Sequence, residues 1–423
     1  MNTFSIVIYT AIALSTLIRA ILLTRQMHHV WQHRQHIPIA FVDRISAAQH
    51  ALAAQYTLAK NRVALLQLGM EVLLLLVFTL LGGLNALNNF WHRLLTGEVQ
   101  PDVALMASVL LLSSLVELPL DIYRKFNVEQ RFGFNAMTVQ DFVRDLLMQT
   151  LLASVLGLPL LYAVMWIMHH AGDSWWWVTW LVWVGFNVLV MALYPVFIAP
   201  LFNKFVPLTD EGLRQRIVTL LEKAGFAAQG VYVMDGSRRS RHGNAYFTGF
   251  GRSRRIVLFD TLLKQLLPQQ IEAVLAHELG HFHHHHVVKR MAGMFGLSLA
   301  VLWGIAQLIH SPWFFSALHI NRPGAGIALV LFFLLLPVFT LPFQVLFSIV
   351  SRRDEFQADR YAAQHVGAAH LISALLQLYS DNASTLTPDP WYSLFYDSHP
   401  NAQQRIARLV TLNELNLTER AAL

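Results

Sequence analysis

Long apolar segments divide the chain into stretches of similar length, separated by polar connections. Crossing the roughly 30 Å of hydrocarbon in a bilayer takes about 20 residues of α-helix. Segments long enough for this lie near residues 4–24, 63–85, 103–120, 146–168, 175–199, 291–309 and 327–350. The pattern therefore predicts an α-helical polytopic membrane protein with seven transmembrane helices.

Lysine and arginine alternate between the connections and predict an orientation. Basic residues are concentrated in the first, third and fifth connections and in the tail from Arg352, whereas the second connection carries only Arg93 and the sixth only Arg322. Since connections rich in Lys and Arg stay in the cytoplasm, we expect the N-terminus to face outward. The first segment has no basic residue before it and no A-x-A-like exit, so we expect a retained anchor rather than a signal peptide.

Four regions follow from this topology: membrane segments at 1–199 and 291–350, and cytoplasmic regions at 200–290 and 351–423. In the first cytoplasmic region, "GVYVMDGS" and "RRIVLFDTLL" place apolar, β-branched runs between turn residues, and "NAYFTGFG" is typical of an edge strand or hairpin. Pro268 stands where proline favours the first turn of a helix, which then continues into the histidines. This region is expected to be a small α+β insertion.

Composition agrees with a membrane protein and restricts its chemistry. The chain is 55% hydrophobic and 13% charged, with a mean hydropathy of +0.45, whereas soluble domains are roughly 25% charged. Membrane orientation accounts for the net charge of +6, so we expect no nucleic-acid partner. With no cysteine, the chain has neither disulfides nor thiolate ligands, and any metal site must use His, Asp or Glu.

The stretch "AVLAHELGHFHHHH" places His277 and His281 four residues apart on the predicted helix. Side chains at this spacing share one face, so both rings can reach one ion. Glu278 can then accept a proton from a water molecule activated by the metal, as in the HExxH zinc proteases. The alternative is a solvated histidine face on an ordinary helix.

A catalytic zinc ion needs a third protein ligand. The best candidate lies in "SRRDEFQADRYA", where the seventh segment leaves the membrane and Glu355 and Asp359 are four residues apart. One carboxylate can bind the metal while the other orients a ligand. The alternative is a surface helix with ordinary Arg–Asp pairs.

These motifs resemble those of the type I CAAX prenyl proteases, a family of integral-membrane zinc endopeptidases. The resemblance extends over most of the chain, through blocks at 128–135, 198–208, 235–250, 254–263 and 392–406. It implies a cytoplasmic α+β zinc metalloprotease domain of the gluzincin-like HExxH type, one Zn²⁺ per chain, and a seven-helix bundle that encloses a hydrated chamber.

The resemblance also implies roles for the residues at matching positions. The zinc ion would be bound by His277, His281 and Glu355. Glu278 would be the general base and acid, and His399 would lie beside the scissile bond.

Other roles implied by the resemblance concern support of the site and the substrate. Asp359 and Arg405 would form a pair that orients the zinc ligands. The substrate would lie along the strand formed by Asn244, Ala245, Tyr246 and Phe247, with Asn244 counted among the catalytic residues. Three further histidines depart from the family pattern, and we interpret them as a polar helix end: His283, His284 and His285.

The implied activity is hydrolysis of peptide bonds in membrane-associated proteins, including prenylated proteins with CAAX-type C-termini. The protein is expected to act as a monomer in the bilayer on a peptide or protein substrate. The short outward connection at 311–325 and the absence of a lysine-based retrieval signal at the C-terminus indicate a bacterial inner membrane. In that membrane, general quality-control proteolysis is the alternative function.

Three other classes of membrane protein share parts of this pattern. A zinc transporter needs metal ligands within its membrane segments, and these segments contain no histidine pairs. A site-2-type intramembrane protease carries HExxH inside an apolar helix and an N-P-D-G sequence, which this chain lacks. A four-span stress protease has fewer N-terminal membrane segments. Each class is therefore less favoured than the CAAX-type protease.

Polar residues within or near the ends of five apolar segments support a hydrated interior. An ionisable side chain at membrane depth normally faces the bundle interior or a water-filled cavity, and Glu71 and Glu117 are predicted to line the chamber. Amide side chains can instead link helices by hydrogen bonds. The amides in question are Gln149, Asn187 and Gln344.

Overall fold

The computed structural model describes residues 3–226, 228–249 and 255–421, with side chains as far as residue 414. The long helices are α1 (Thr3–Gln32), α2 (Ala47–Phe78), α4 (Gln100–Tyr123), α5 (Val139–His170), α6 (Trp175–Leu193), α11 (His286–Leu308) and α13 (Ala325–His365). The other helices are α3 (Gly83–Leu94), α7 (Ala199–Phe202), α8 (Glu211–Lys223), α9 (Asp260–Gln265), α10 (Pro268–His283), α12 (Pro312–Ala317), α14 (Ala368–Asp381), α15 (Pro390–Tyr396) and α16 (Ala402–Ala421).

Seven helical segments of the described chain are long and apolar enough to cross a membrane, as the sequence predicts. The second one ends earlier than predicted: α2 stops at Phe78 instead of near residue 85. Gly82 has a φ of 75° and the next helix begins at Gly83. The C-cap of α2 is Thr79, although the apolar run continues, and Gly82 is the N-cap of the next helix, where glycine adopts a positive φ without steric cost.

The two largest of the four hydrophobic cores found among the described residues include opposite ends of α13. The far-side core joins the ends of the long helices that are remote from α10, through residues such as Ile8, Leu105, Met165, Ile305 and Leu331. The protease core joins the sheet with α8, α10, α13 and α14, through residues that include Ile217, Ile256, Leu275, Ala362 and Leu371. Among the long helices, α5 and α6 bury few side chains.

The described residues form a sheet of four strands: β1 (Phe205–Pro207), β2 (Gly230–Met234), β3 (Ala245–Thr248) and β4 (Arg255–Phe259). Their order is β1-β2-β4-β3; β2 and β4 are parallel, and the other two pairs are antiparallel. β3 is thus an edge strand, as its alternating sequence predicts. β1 was not predicted, since three residues give too short a pattern to distinguish a strand from a loop.

A glycine allows α10 and α13 to pack closely. A Cβ atom at Gly280 would lie 2.8 Å from the Cα atom of Ala358 and 3.0 Å from the Cβ atom of Tyr361, closer than packed side chains tolerate. Ala358 is fully buried in this contact. The approach brings Glu355 and Asp359 on α13 opposite the histidines of α10.

The loop before β3 is fixed to the membrane helix α5 by two ion pairs. Arg239 forms a bidentate pair with Asp145, with distances of 2.7 and 2.8 Å, and Arg238 pairs with Asp141. Bidentate arginine–carboxylate pairs hold both direction and distance. The position of β3 is therefore coupled to α5.

The polar residues predicted within the membrane segments have different environments. Glu71 is paired with Arg19 of α1 at 2.9 Å, and Glu117 is exposed on α4. Asn187 donates to the carbonyl of Trp183 within its own helix at 2.7 Å, so this hydrogen bond does not link two helices. The side-chain oxygen of Gln344 is buried without a hydrogen-bond partner in the described part of the chain.

Candidate active site

His277 and His281 lie on one face of α10, as their spacing predicts. Their Nε2 atoms are 3.2 Å apart and the rings meet edge to face. Glu355 approaches both from α13, with carboxylate oxygens 3.3 Å from Nε2 of His277 and 3.4 Å from Nε2 of His281. One ligand atom from each of the three residues lies within 4.8 Å of the others. We call His277, His281 and Glu355 the cluster.

The donor set suits a divalent cation. Oε2 of Glu355 is buried, with Nε2 of His277 at 3.3 Å as its contact, and burying a carboxylate without full compensation of its charge is costly. Two imidazole nitrogens and one carboxylate are the ligands of a catalytic zinc site of the His₂Glu type. A cation bound by these three groups would compensate the negative charge of the buried Glu355 carboxylate.

Asp359 and Arg405 lie on the Nδ1 side of the His277 ring. Asp359 lies 2.9 Å from Nδ1 of His277, and Arg405 donates to both Asp359 oxygens at 2.9 and 2.6 Å. Burial by itself disfavours the charged imidazole, but the hydrogen bonds to Asp359 and Glu355 raise the pKa of His277 to about 9. The arrangement aims Nε2 of His277 at the cluster and holds a proton on Nδ1.

Glu278 has the environment of a carboxyl group that exchanges protons. It lines the same cavity as His281 and Glu355, and burial raises its pKa. A general base works best when its pKa lies closer to the operating pH than that of an exposed carboxylate. The position next to His277 in the chain therefore places a titratable group beside the cluster.

His399 reaches the cluster from the loop between α15 and α16. Its Nε2 atom is 3.4 Å from Oε1 of Glu355, and its Nδ1 atom forms a 2.9 Å hydrogen bond with the Ser398 hydroxyl. Partial enclosure by protein lowers the pKa of His399, so the ring is mainly neutral near pH 7. A neutral ring in this place can donate one hydrogen bond to a substrate oxygen.

A cavity of about 750 Å³ connects the cluster with the edge strand. Tyr246, Phe247 and Thr248 of β3 line it together with His281 and Glu355. Ala245 is buried and lies opposite Leu258 in the sheet. Asn244 precedes the strand, where its carbonyl accepts from Phe259 and its side-chain oxygen accepts from the Ala245 amide. Its part in substrate binding remains a prediction.

The additional histidines lie at the end of α10. His283 is the last helical residue, and the next two form the connection to α11. The rings of His283 and His284 contact each other and Tyr361. No metal-binding group that includes them is found among the described residues.

Four interactions at the site were not predicted from sequence. Ser398 contacts His399, and Gln357 and Asp354 lie beside His286, which itself contacts His281. These residues have no distinctive spacing of their own. A signal was available in His286, which follows His281 by five residues, although that spacing does not place two side chains on the same helix face.

Comparison with known proteins agrees with this geometry. Residues 26–204 match the family description "CAAX prenyl protease N-terminal, five membrane helices", and residues 207–413 match "Peptidase family M48". The chain belongs to peptidase family M48. This M48 protein is therefore an integral-membrane metalloendopeptidase, which confirms the enzyme class predicted from the sequence.

Relatives of this M48 protein cover most of its length. The CAAX prenyl protease 1 homolog of Oryza sativa subsp. japonica is 35% identical over 329 residues, 77% of this chain and 75% of that protein. CAAX prenyl protease 1 of Saccharomyces cerevisiae is 35% identical over 319 residues, 72% and 70% of the two chains. The crystal structure of S. mikatae Ste24p superposes with a TM-score of 0.88 at 30% identity, covering 97% of this chain and 99% of that one.

Proposed function

We propose that this M48 protein is a zinc endopeptidase that cleaves membrane-associated proteins with prenylated, CAAX-type C-termini. The observation that carries the proposal is the convergence of two imidazole nitrogens and the buried Glu355 carboxylate beside a substrate-sized cavity with an edge strand. The ligands are His277, His281 and Glu355, for one Zn²⁺ per chain.

Each residue around the cluster has a chemical task in peptide hydrolysis. A bound zinc ion supplies the Lewis acidity that activates water and polarises a peptide carbonyl. Glu278 accepts a proton from the attacking water and returns it to the leaving nitrogen. His399 donates a hydrogen bond to the oxygen on which negative charge develops, a contribution worth about 3–4 kcal/mol for comparable donors.

The edge strand offers a way to bind an extended peptide. Main-chain groups on the free edge of β3 can pair with a substrate strand, while side chains at alternate positions set specificity. Tyr246, Phe247 and Thr248 place that edge along the cavity. The scissile bond would then lie between β3 and His399.

The cavity wall supports a substrate that carries hydrocarbon. Its membrane-side part is formed by Met191 of α6 and by Val287, Val288 and Met291 at the start of α11. Both valines are exposed, and an isoprenoid chain would bury them. The names of the relatives, CAAX prenyl proteases, agree with this substrate class.

Orientation and location complete the proposal. The Lys and Arg distribution favours an outward N-terminus and a cytoplasmic active site, and the short connection at 311–325 favours a bacterial inner membrane. We expect the monomer to be active, because one chain supplies every residue of the site.

The decisive experiment compares two peptides that differ only in an S-prenyl group on the CAAX cysteine. Purified wild-type protein in lipid nanodiscs is expected to cleave the prenylated peptide with a higher kcat/KM, and the fragments are identified by mass spectrometry. Equal cleavage of both peptides would favour a general membrane quality-control protease. Absence of metal-dependent cleavage of either peptide would contradict the endopeptidase proposal.

A further inference from the structure

The connection between α10 and α11 turns a buried histidine back onto a proposed metal ligand. Only His284 and His285 separate the two helices, and His285 has a φ of 55°, a left-handed conformation uncommon for residues other than glycine. The turn places His286 at the start of α11 with 1% of its surface exposed. Its ring centroid lies 5.1 Å from that of His281.

His286 bridges His281 to acceptor groups on α13. Its Nδ1 atom is 2.9 Å from Nδ1 of His281, and its Nε2 atom is 2.9 Å from Oε1 of Gln357. Oδ1 of Asp354 lies 3.5 Å from the same Nε2 atom. Arg290 holds the other Asp354 oxygen at 3.1 and 3.2 Å, which fixes that carboxylate in place.

The acceptors determine where hydrogen atoms can lie. A carboxylate accepts only, and the amide oxygen of Gln357 also accepts, so the hydrogen of a neutral His286 ring belongs on Nε2. Its Nδ1 atom then accepts, and Nδ1–H of His281 must donate across the 2.9 Å contact. This leaves the lone pair of His281 on Nε2, which is the atom that faces Glu355 and His277.

We propose that Gln357 and His286 are positioning residues that fix the ring orientation and tautomer of His281 for metal binding, an inference that rests on the proposed metalloprotease function. The two histidine ligands are then held in different ways. His277 is oriented directly by a charged pair, Asp359 with Arg405, whereas the groups next to His281 are His286 and Gln357, with the Asp354 carboxylate 3.5 Å from His286. Hydrogen-bond partners of this kind commonly contribute 10- to 100-fold to metal affinity.

Substitutions that keep or remove a hydrogen-bond acceptor test this series of hydrogen bonds. His286→Leu removes the acceptor for His281, whereas His286→Asn keeps an amide oxygen near the position of Nδ1. Gln357→Leu removes the nearer of the two acceptors at Nε2 of His286 at similar size, and leaves only the Asp354 oxygen at 3.5 Å. His283→Gln is the matched control, since His283 is an exposed histidine of the same run without a contact to His281.

The measurement is the dissociation constant for Zn²⁺ of the metal-free protein, obtained by chelator competition, together with the visible absorption of bound Co²⁺ as a report on ligand geometry. We expect His286→Leu and Gln357→Leu to bind Zn²⁺ about 10- to 100-fold more weakly and to alter the Co²⁺ spectrum. His286→Asn and His283→Gln should resemble the wild type.

Two results would overturn the proposal: wild-type affinity in both leucine variants, or equal weakening in His286→Leu and His286→Asn. If His286→Leu fails to fold, its elution from a sizing column will reveal this. In that case Gln357→Leu alone tests the proposal, because a wild-type affinity for Zn²⁺ in this variant overturns it. A wild-type protein that binds one zinc ion and cleaves peptide upholds the proposed function whatever these variants do. Failure of the positioning chain is thereby distinguished from failure of the protease assignment.

Discussion

The protease region (residues 200–290 and 351–423) and the membrane region (residues 1–199 and 291–350) bury their side chains to very different extents. In the protease region, α10 buries eight of its 16 residues, and these include His277 and Gly280. In the membrane region, α5 buries three of 32 residues, and α6, all of which the structure describes, buries only Trp175 and Thr179. The comparison indicates that close packing holds the chemistry at fixed distances, while the long helices keep most of their faces open to lipid or to an interior space.

The largest effect is expected from a substitution in the protease region that leaves the packing of its side chains unchanged. Glu278→Gln should lower kcat by about 10²–10⁴-fold, because the amide cannot accept a proton, while one zinc ion stays bound. Peptide cleavage and metal content by mass spectrometry measure both. His277→Ala and Glu355→Ala serve as controls that should lose zinc as well, and wild-type cleavage by Glu278→Gln would refute the assigned base.

A methyl group at the closest helix contact should disturb the site through geometry alone. Gly280→Ala places a Cβ atom 2.8 Å from the Ala358 backbone, and such overpacking typically costs about 1–3 kcal/mol of stability. Separation of α10 from α13 should reduce kcat/KM by about 10²-fold, as displacements near 1 Å do elsewhere.

The matched control for this substitution lies in the membrane region. Gly293→Ala on α11 meets no atom within 4 Å, so its activity and thermal unfolding should equal those of the wild type. If both alanine variants behaved alike, the contrast between a packed and an open region would not hold.

Zinc binding should depend strongly on pH because the metal competes with a proton. Hydrogen bonds to Asp359 and Glu355 raise the pKa of His277 to about 9 after burial is counted against it, and the ligand must be neutral to bind. The raised value means that the protonated ring stabilises the metal-free protein at and below neutral pH, a contribution that is lost as pH rises toward 9.

Apparent zinc affinity should therefore rise about tenfold per pH unit between pH 7 and 8, in proportion to the neutral fraction of this ring. Titration calorimetry in two buffers of different ionisation enthalpy counts the protons released, and we expect about one from His277 at pH 7. Asp359→Asn should weaken the pH dependence, since it removes a main cause of the raised pKa. A flat profile from pH 6 to 9 would argue against proton competition at His277.

The smallest effect on activity, and the sharpest test of the open region, comes from single cysteines in the membrane helices. The chain has no native cysteine, so Glu117→Cys and Glu71→Cys report only their own surroundings. Both should react with a small water-soluble maleimide if these positions line a hydrated chamber. Leu73→Cys is the comparison, since Leu73 is exposed and lies on nearly the opposite face of α2 from Glu71.

Glu71→Cys also separates two explanations for that glutamate. Its carboxylate pairs with Arg19 at 2.9 Å, which alone would explain its place in an apolar segment without any chamber. Protection of both cysteine positions, with labelling only after unfolding, would mean a dry bundle in which Glu71 is a structural ion pair. Labelling at 71 and 117 but not at 73 would support the chamber.

Much of the candidate site was predictable because it depends on short, regular spacings. Residues four apart share one face of a helix, so His277 with His281, and Glu355 with Asp359, are matched pairs by their spacing alone. The edge position of β3 followed from its alternating pattern. The ion pairs Arg238–Asp141 and Arg239–Asp145 were not predictable, since they join residues more than 90 positions apart without a motif to connect them.

The sequence by itself predicted the seven membrane helices, the helix that carries the HExxH motif and a candidate third ligand in Glu355, because hydrophobic length and helical periodicity are local properties of the chain. Tertiary structure decided where α2 ends, that Glu71 pairs with Arg19, and that His286 contacts both His281 and Gln357. The last two features depend on side chains brought together from distant segments, and the contact of His286 with His281 also needs the left-handed backbone at His285. Such contacts form only when the helices have packed, and no spacing within a single segment encodes them.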